Sequence, residues 1–291
     1  MILGHLRRWH GAILAFAERG RGAILAIAAS ALAAGIVWAI GTLGIVWDDV
    51  NWRAILAIAL IAAPVSMVLN ASELRLCARA AGRHLGFRPA LQASTIGVVS
   101  NLLPVPASIA IRGKALAEAG VSLGGVGKVL GYAAAMWIAL AVACTGLALP
   151  ATAGRLLVTS TGLAGAGIVV ALVLRQAPPW VAVGLVAVRA SMIAILVLSL
   201  FVLLAALNVS ADAGDAAILS GAGLLGTIAG IAPAGLGITE LAGAGLATLR
   251  DGSAAGALVV LALHRLIGLT VNGTMAVVLL GTRRTAIAQE I

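Results

Sequence analysis

The stretch from Gly230 to Arg265 constrains the fold more than any other part of the chain. It is apolar almost throughout, yet it breaks at Pro233, and Gly235 and Gly237 follow the break. Glycine enters the left-handed region without steric cost, so the backbone is free to reverse there. A second short apolar arm starts at Thr239-Glu240 and ends near Arg250-Asp251. Neither arm has the roughly 20 helical residues needed to cross a hydrocarbon core of about 30 Å. Two half-length arms meeting at a Pro/Gly break predict a re-entrant hairpin, whose irregular tip is tolerated only inside protein or against a wet cavity. Glu240 lies at that tip, and His264 and Arg265 fall near the middle of the next apolar run. Ionisable groups at such depth are costly and are functional candidates by default.

Composition supports the membrane reading: 62% of the 291 residues are hydrophobic and 10% are charged, against about 25% charged in ordinary soluble domains. The net charge of +9 is spread along the chain, so the basic residues read as topology signals rather than a nucleic-acid surface. Cys77 and Cys144 are isolated in apolar segments, which predicts buried thiols rather than a disulfide or metal site. The four histidines, His5, His10, His84 and His264, lie near no nucleophile, and no zinc-binding helix motif or phosphate-binding loop is present. Gly221 to Gly226 spells G-x-G-x-x-G only by letter, because it sits in an apolar helix and follows no strand. The expectation is a non-enzyme with no cofactor, no metal and no nucleic-acid partner.

Residues 1–22 set Arg7, Arg8, Arg19 and Arg21 around Trp9, Leu14 and Phe16, as in a basic amphipathic helix on a membrane face. Span one covers about 23–46, and an acidic, Trp-flanked loop from Trp47 to Trp52 follows. Span two covers about 54–77, kinked by Pro64. Arg75, Arg79, Arg83, His84 and Arg88 then form the densest basic cluster, which marks the cytoplasmic side. Over 89–119 an apolar arm breaks at Pro104 and Pro106, and a second arm from Ser108 carries Arg112. This predicts a second re-entrant hairpin, with Ser108 as a helix cap. Spans three to six cover about 124–149, 156–174, 181–207 and 254–281, and the hairpin over 216–250 precedes the last.

The fold expected is an all-α polytopic membrane protein of six full spans and two re-entrant hairpins, eight hydrophobic segments in all. Each half, 23–149 and 150–291, reads span, span, hairpin, span. Three spans per half is odd, so the second half is inserted upside down. Arg175 and Arg283-Arg284 then fall on the basic side with both termini, and the two acidic loops fall opposite. Arg112 and Trp137 are 25 positions apart, as are Glu240 and Arg265. Inverted repeats with broken helices are a transporter signature, with the site near the midplane. The glycines of Gly124-Gly125-x-Gly127 and Gly226-x-x-x-Gly230 are expected to permit close helix packing, and they also permit dimerisation.

Half-helix N-termini carry free N–H groups and the positive end of a dipole. Aimed at one spot beside Arg112, Arg189 and Arg265, they suit an anionic headgroup, above all a phosphate. Glu240 either holds Arg265 while the site is empty or pairs with a cationic group on the ligand. Two alternatives stand beside the binding role: Arg265–Glu240 as a plain clamp, and Arg189 snorkelling toward the basic face. Arg112 equally fits a hairpin end at that face. The candidate site set is Arg112, Glu240, Arg265, Arg189, Asn101, Ser108, Gly235, Gly237, Thr239 and His264, with breaks at Pro104, Pro106 and Pro233.

Pro233-Ala-Gly-Leu-Gly-Ile-Thr-Glu240, with Arg265 in the next span, resembles the P-x-G-x-G-x-x-E element of lysylphosphatidylglycerol synthase transmembrane regions and related flippase-like integral membrane proteins. Asn101-Leu-Leu-Pro104 leading to Arg112 resembles that family's N-x-x-P…R element. The resemblance spans roughly 20–281. The chain departs from the pattern at Pro106 and Ile109, and at Ala135-Met136-Trp137. The resemblance implies a lipid-handling membrane domain of the bacterial inner membrane, without the synthase domain. The expected function is transport of an anionic phospholipid or polyprenyl phosphate between leaflets. The alternative is an accessory that presents a lipid or glycolipid to a partner glycosyltransferase or synthase.

Overall fold

A computed structural model describes residues 30, 33–101, 107–229 and 237–289, with the backbone alone described for 224–229 and 281–289. The N-terminal helix at 1–22, most of the first half of span one, and Pro104, Pro106, Pro233 and Gly235 lie outside the described residues. All regular structure among the described residues is helical. The elements are α1 (Ala33–Leu43), α2 (Trp52–Ala80), α3 (Phe87–Ser100), α4 (Ala107–Glu118), α5 (Leu123–Ala148), α6 (Ala153–Leu174), α7 (Pro179–Ala206), α8 (Ala213–Ala229), α9 (Ile238–Ala247) and α10 (Ala254–Gln289). Five of these, α2, α5, α6, α7 and α10, are long and apolar enough to cross a membrane. Many of their large apolar side chains point outward, among them Leu60, Leu156, Leu157, Val183 and Val277. Water would penalise that surface; hydrocarbon does not.

Pro64 acts as expected, through an identifiable local device. It has no N–H to give and its ring crowds the preceding turn. The helix answers with one wide turn over Ile58–Ala62, where Ala63 N–H reaches back five residues to Ile58 O. Such π turns absorb a break without ending the helix.

α3 and α4 form one hairpin: a β-carbon on Gly97 would lie 3.0 Å from Ser108 Oγ. α8 and α9 form the other, with Ala222 near Gly243 at its middle and Gly214 against Arg250 at its base. Their open ends lie at opposite ends of the bundle. At the acidic end, Asn51 N–H donates to Ala206 O at 3.0 Å, Asn208 Nδ2 to Asp49 O at 3.1 Å, and Arg250 Nη1 to Ala148 O at 2.6 Å. At the basic end, His84, Pro89, Glu118 and Leu280 line one cavity. Each hairpin packs its first arm on two long helices, α3 on α2 and α10, α8 on α7 and α5.

Close packing is concentrated between α5 and α6. A β-carbon on Gly146 would lie 2.6 Å from Thr159 N, and one on Gly165 would lie 3.3 Å from Ala139 Cβ. Gly162 meets the Ala139 and Ala143 backbone in the same antiparallel register. Without a hydrophobic force between helices in lipid, such backbone approach is what drives their association. The expected packing role of Gly124 and Gly127 does not hold, because open space faces both and Gly125 meets only Val121 and Ser122 in its own cap. Gly226 and Gly230 fall where side-chain surroundings are not described.

Candidate functional site

The Glu240 cluster is built from a turn outward. Gly237 takes φ 79° as the residue before α9, a conformation that costs other L-residues about 1–2 kcal/mol. Three residues on, Glu240 turns back and its Oε2 accepts from Gly237 N–H at 2.8 Å, satisfying one of the free donors of the helix start. Its other oxygen, Oε1, lies 3.0 Å from Arg265 Nη1. Glu240 is wholly buried, whereas the Arg265 side chain keeps 17% of its surface. Arg265 is eleven residues into α10, about 16 Å along its axis, hence near the bundle's middle.

That remaining surface of Arg265 opens on two cavities. One, of about 400 Å³, is lined by Ile36, Ile40, Trp47, Trp52, Ile55 and Leu263 and ends on the Glu240–Arg265 pair. The other, of about 290 Å³, includes Thr239, His264, Ser220, Val98 and Leu196. One guanidinium thus faces an apolar crevice near the Trp47–Trp52 stack and a more polar chamber bordered by both hairpins.

A second cluster joins α2, α4 and α7. Glu73, 1% exposed, is in direct contact with Arg189 Nε through Oε1, and its Oε2 lies 3.6 Å from Arg112 Nη1. Arg112 Nη2 donates to Asn70 Oδ1 at 2.7 Å. The Arg189 guanidinium lies 5.5 Å from the Trp137 ring centre, within cation–π range. The snorkelling alternative for Arg189 is therefore wrong. The residue is buried, and a carboxylate and an aromatic face hold it inside the bundle. Arg112 does not sit at a hairpin end either; it turns inward half-way along α4.

Other expected residues fall in varied places. Thr239 is buried and His264 half-buried, both against the smaller cavity. Asn101 is exposed just beyond α3 and does not join either cluster. Ser108 is the second residue inside α4, so it is not the cap; its hydroxyl faces Gly97 across the hairpin. Cys77 and Cys144 are free thiols, Cys77 buried and Cys144 half-buried. Glu73, Asn70 and Trp137 are absent from the sequence-based site. The available signal was spacing: Asn70, Glu73 and Cys77 lie at i, i+3 and i+7, one polar stripe on an otherwise apolar helix.

A third charged group closes the base of the second hairpin. Asp215 N–H donates to Asp212 Oδ1 at 2.9 Å, and Asp212 N–H donates to Asp215 Oδ2 at 2.8 Å, a reciprocal cap for α8. Arg250, from the far arm, lies 2.9 Å from both carboxylates. The Asp215 N–H, helped by Arg250, holds the Asp212 carboxyl below its ordinary range, and Asp215 raises Arg250 in turn.

The first cluster balances one carboxylate against one guanidinium; the second sets one carboxylate against two. Among the described residues no group of His, Cys, Asp and Glu is arranged to hold a metal ion. Neither a protein-family model nor a curated protein sequence matches this chain.

Proposed function

We propose that the chain is a flippase-like membrane lipid transporter that binds an anionic, phosphate-bearing headgroup between its two hairpins and moves it between leaflets. The observation that carries this reading is the apolar crevice ending on Arg265 and Glu240. A lipid presents the same pairing, an acyl body with a charged end. A phosphate oxygen arriving at Arg265 replaces the Glu240 carboxylate, and the freed Glu240 takes a proton or an amine on the headgroup. Charge at depth is then exchanged rather than exposed, which keeps its cost low.

The halves support alternating exposure. Each contains a hairpin between long helices, and the two hairpins open toward opposite ends. We read them as inverted repeats, with the basic end of α2, α3 and α7 at the cytoplasmic face of a bacterial inner membrane. Rocking one half against the other would open Arg265 to each face in turn.

The test is reconstitution in liposomes with phosphatidylglycerol, phosphatidic acid and phosphatidylcholine labelled on a short acyl chain, followed by quenching of the outer leaflet. Wild type is expected to speed the anionic lipids, and Arg265→Gln is expected to remove the gain. If no lipid class crosses faster than in empty liposomes, transport fails. Co-purification of one such lipid without transport would then support the accessory role for a partner synthase or glycosyltransferase.

A further inference from the structure

The Glu73 cluster carries one surplus positive charge in a place where charge is expensive. Its two arginines are not held alike. Arg189 touches the Glu73 carboxylate on one side and lies over the Trp137 ring on the other. Arg112 stands 3.6 Å from Glu73, and its shorter bond, 2.7 Å, goes to the neutral amide oxygen of Asn70. The Nε atoms of Arg112 and Arg189 are both buried without a well-aligned hydrogen bond, so the two differ in their distance to the carboxylate. A neutral amide satisfies a donor but does not balance a charge, so the surplus resides on Arg112.

Ile111 and Ala115, on the same arm as Arg112, line a cavity of about 560 Å³ at the basic end, bordered also by His84, Gln92 and Lys114; Arg112 itself is not part of its wall. The Arg112 side chain retains 16% exposure. This cluster shares no residue with the Glu240–Arg265 pair.

We propose that Arg112 is the acceptor of a second anion site, in the basic half of the bundle, for a phosphate-type oxyanion that meets the part of its side chain left exposed. The guanidinium offers two parallel donors, which match two oxygens of such a group. Glu73 and Arg189 position it: Arg189 keeps the carboxylate, so Arg112 is released to the ligand without leaving Glu73 unpaired. Asn70 holds the empty guanidinium in place. The oxyanion is either a free ion or a lipid headgroup, and the site stands whether or not the chain moves lipid.

The experiment titrates the purified full chain in neutral detergent with inorganic phosphate and, separately, with dihexanoyl phosphatidylglycerol, using dihexanoyl phosphatidylcholine as the charge control. Intrinsic tryptophan fluorescence reports binding. The titrations are made in an Arg265→Gln background, so that the anion site proposed at Arg265 does not contribute; that protein is expected to bind, and adding Arg112→Gln is expected to weaken binding at least ten-fold. Binding of phosphate itself marks a free-ion site, and binding of the anionic lipid alone marks a headgroup site. Where Arg112→Gln does not fold, protection of Arg112 from phenylglyoxal by the anion in wild type, read by mass spectrometry, gives the same answer. No anion binding by the Arg265→Gln protein, or equal binding once Arg112→Gln is added to it, overturns the proposal. Binding through Arg112 by a protein that moves no lipid would leave this site in place and remove only the transport reading.

Discussion

Replacing Glu240 by Gln isolates what the deep ion pair contributes. At 3.0 Å and an effective dielectric constant of about 20, the gross attraction is about 5.5 kcal/mol. Desolvation offsets much of that, and breaking a buried pair from one side typically costs about 3–5 kcal/mol. Arg265 keeps 17% of its side-chain surface and faces two cavities, so the lower end applies. A value of about 3 kcal/mol also agrees with the insertion cost of an arginine at a helix centre. Gln retains an acceptor for the Gly237 N–H, so the turn is kept. Arg265→Gln should cost a similar amount. The double variant leaves no orphaned charge and should cost about 1 kcal/mol, the scale of one ordinary hydrogen bond.

Reversible unfolding in mixed micelles, followed by tryptophan fluorescence, measures all three variants. The cycle should give a coupling of at least about 2 kcal/mol; additivity within about 0.5 kcal/mol would refute the pair. A second arm separates a site from a clamp. An anion at 100 times its Kd stabilises by about 2.7 kcal/mol, close to the Glu240→Gln deficit. Anionic lipid in the micelle should restore Glu240→Gln and neutral lipid should not; equal response to both would refute anion binding at Arg265.

Other consequences are smaller in scope. Gly237→Ala, forced to φ 79°, should lose about 1–2 kcal/mol in the same unfolding assay without altering the Arg265 pair, so anionic lipid should not rescue it. Gly162→Ala places a methyl group against the Ala139 and Ala143 backbone and should cost about 1–3 kcal/mol, whereas Gly127→Ala, facing open space, should be near neutral. Because the folded state holds Asp212 below its ordinary value of 3.8, the hairpin base is fully tied above that value and loosens as pH falls through the depressed one. Hydrogen exchange over 208–216, followed from about pH 5 to pH 2, should rise beyond its intrinsic trend, and Arg250→Gln should flatten that rise.

The parts of the fold legible in sequence were those written in one stretch of chain. Pro64 announced a disturbed helix, and the π turn at Ile58–Ala62 is its local answer. The Pro and Gly breaks divided apolar runs into arms too short to span, and α3, α4, α8 and α9 have those lengths. Helix contacts were less legible, because glycine periodicity does not say which face meets a neighbour. Gly124 and Gly127 look toward open space, while Gly146 and Gly162 carry the closest approach to a neighbour's backbone.

The two charged clusters divide along the same line. Glu240 and Arg265 lie on consecutive elements, each a lone charge in an apolar setting, so their meeting was foreseeable. Glu73 is followed at once by Arg75, Arg79 and Arg83, and in that company it reads as one more interfacial charge. Its depth emerges only when α2, α4 and α7 converge and place Arg112 and Arg189 on either side. Sequence counting then inverts. Three arginines looked like an open positive site, yet Glu73 and Glu240 neutralise two of them, leaving a net charge of one. Taken cluster by cluster, the Glu240–Arg265 pair is neutral and the surplus charge stands beside Glu73. The charge balance inside the bundle is therefore set by the carboxylates as much as by the arginines.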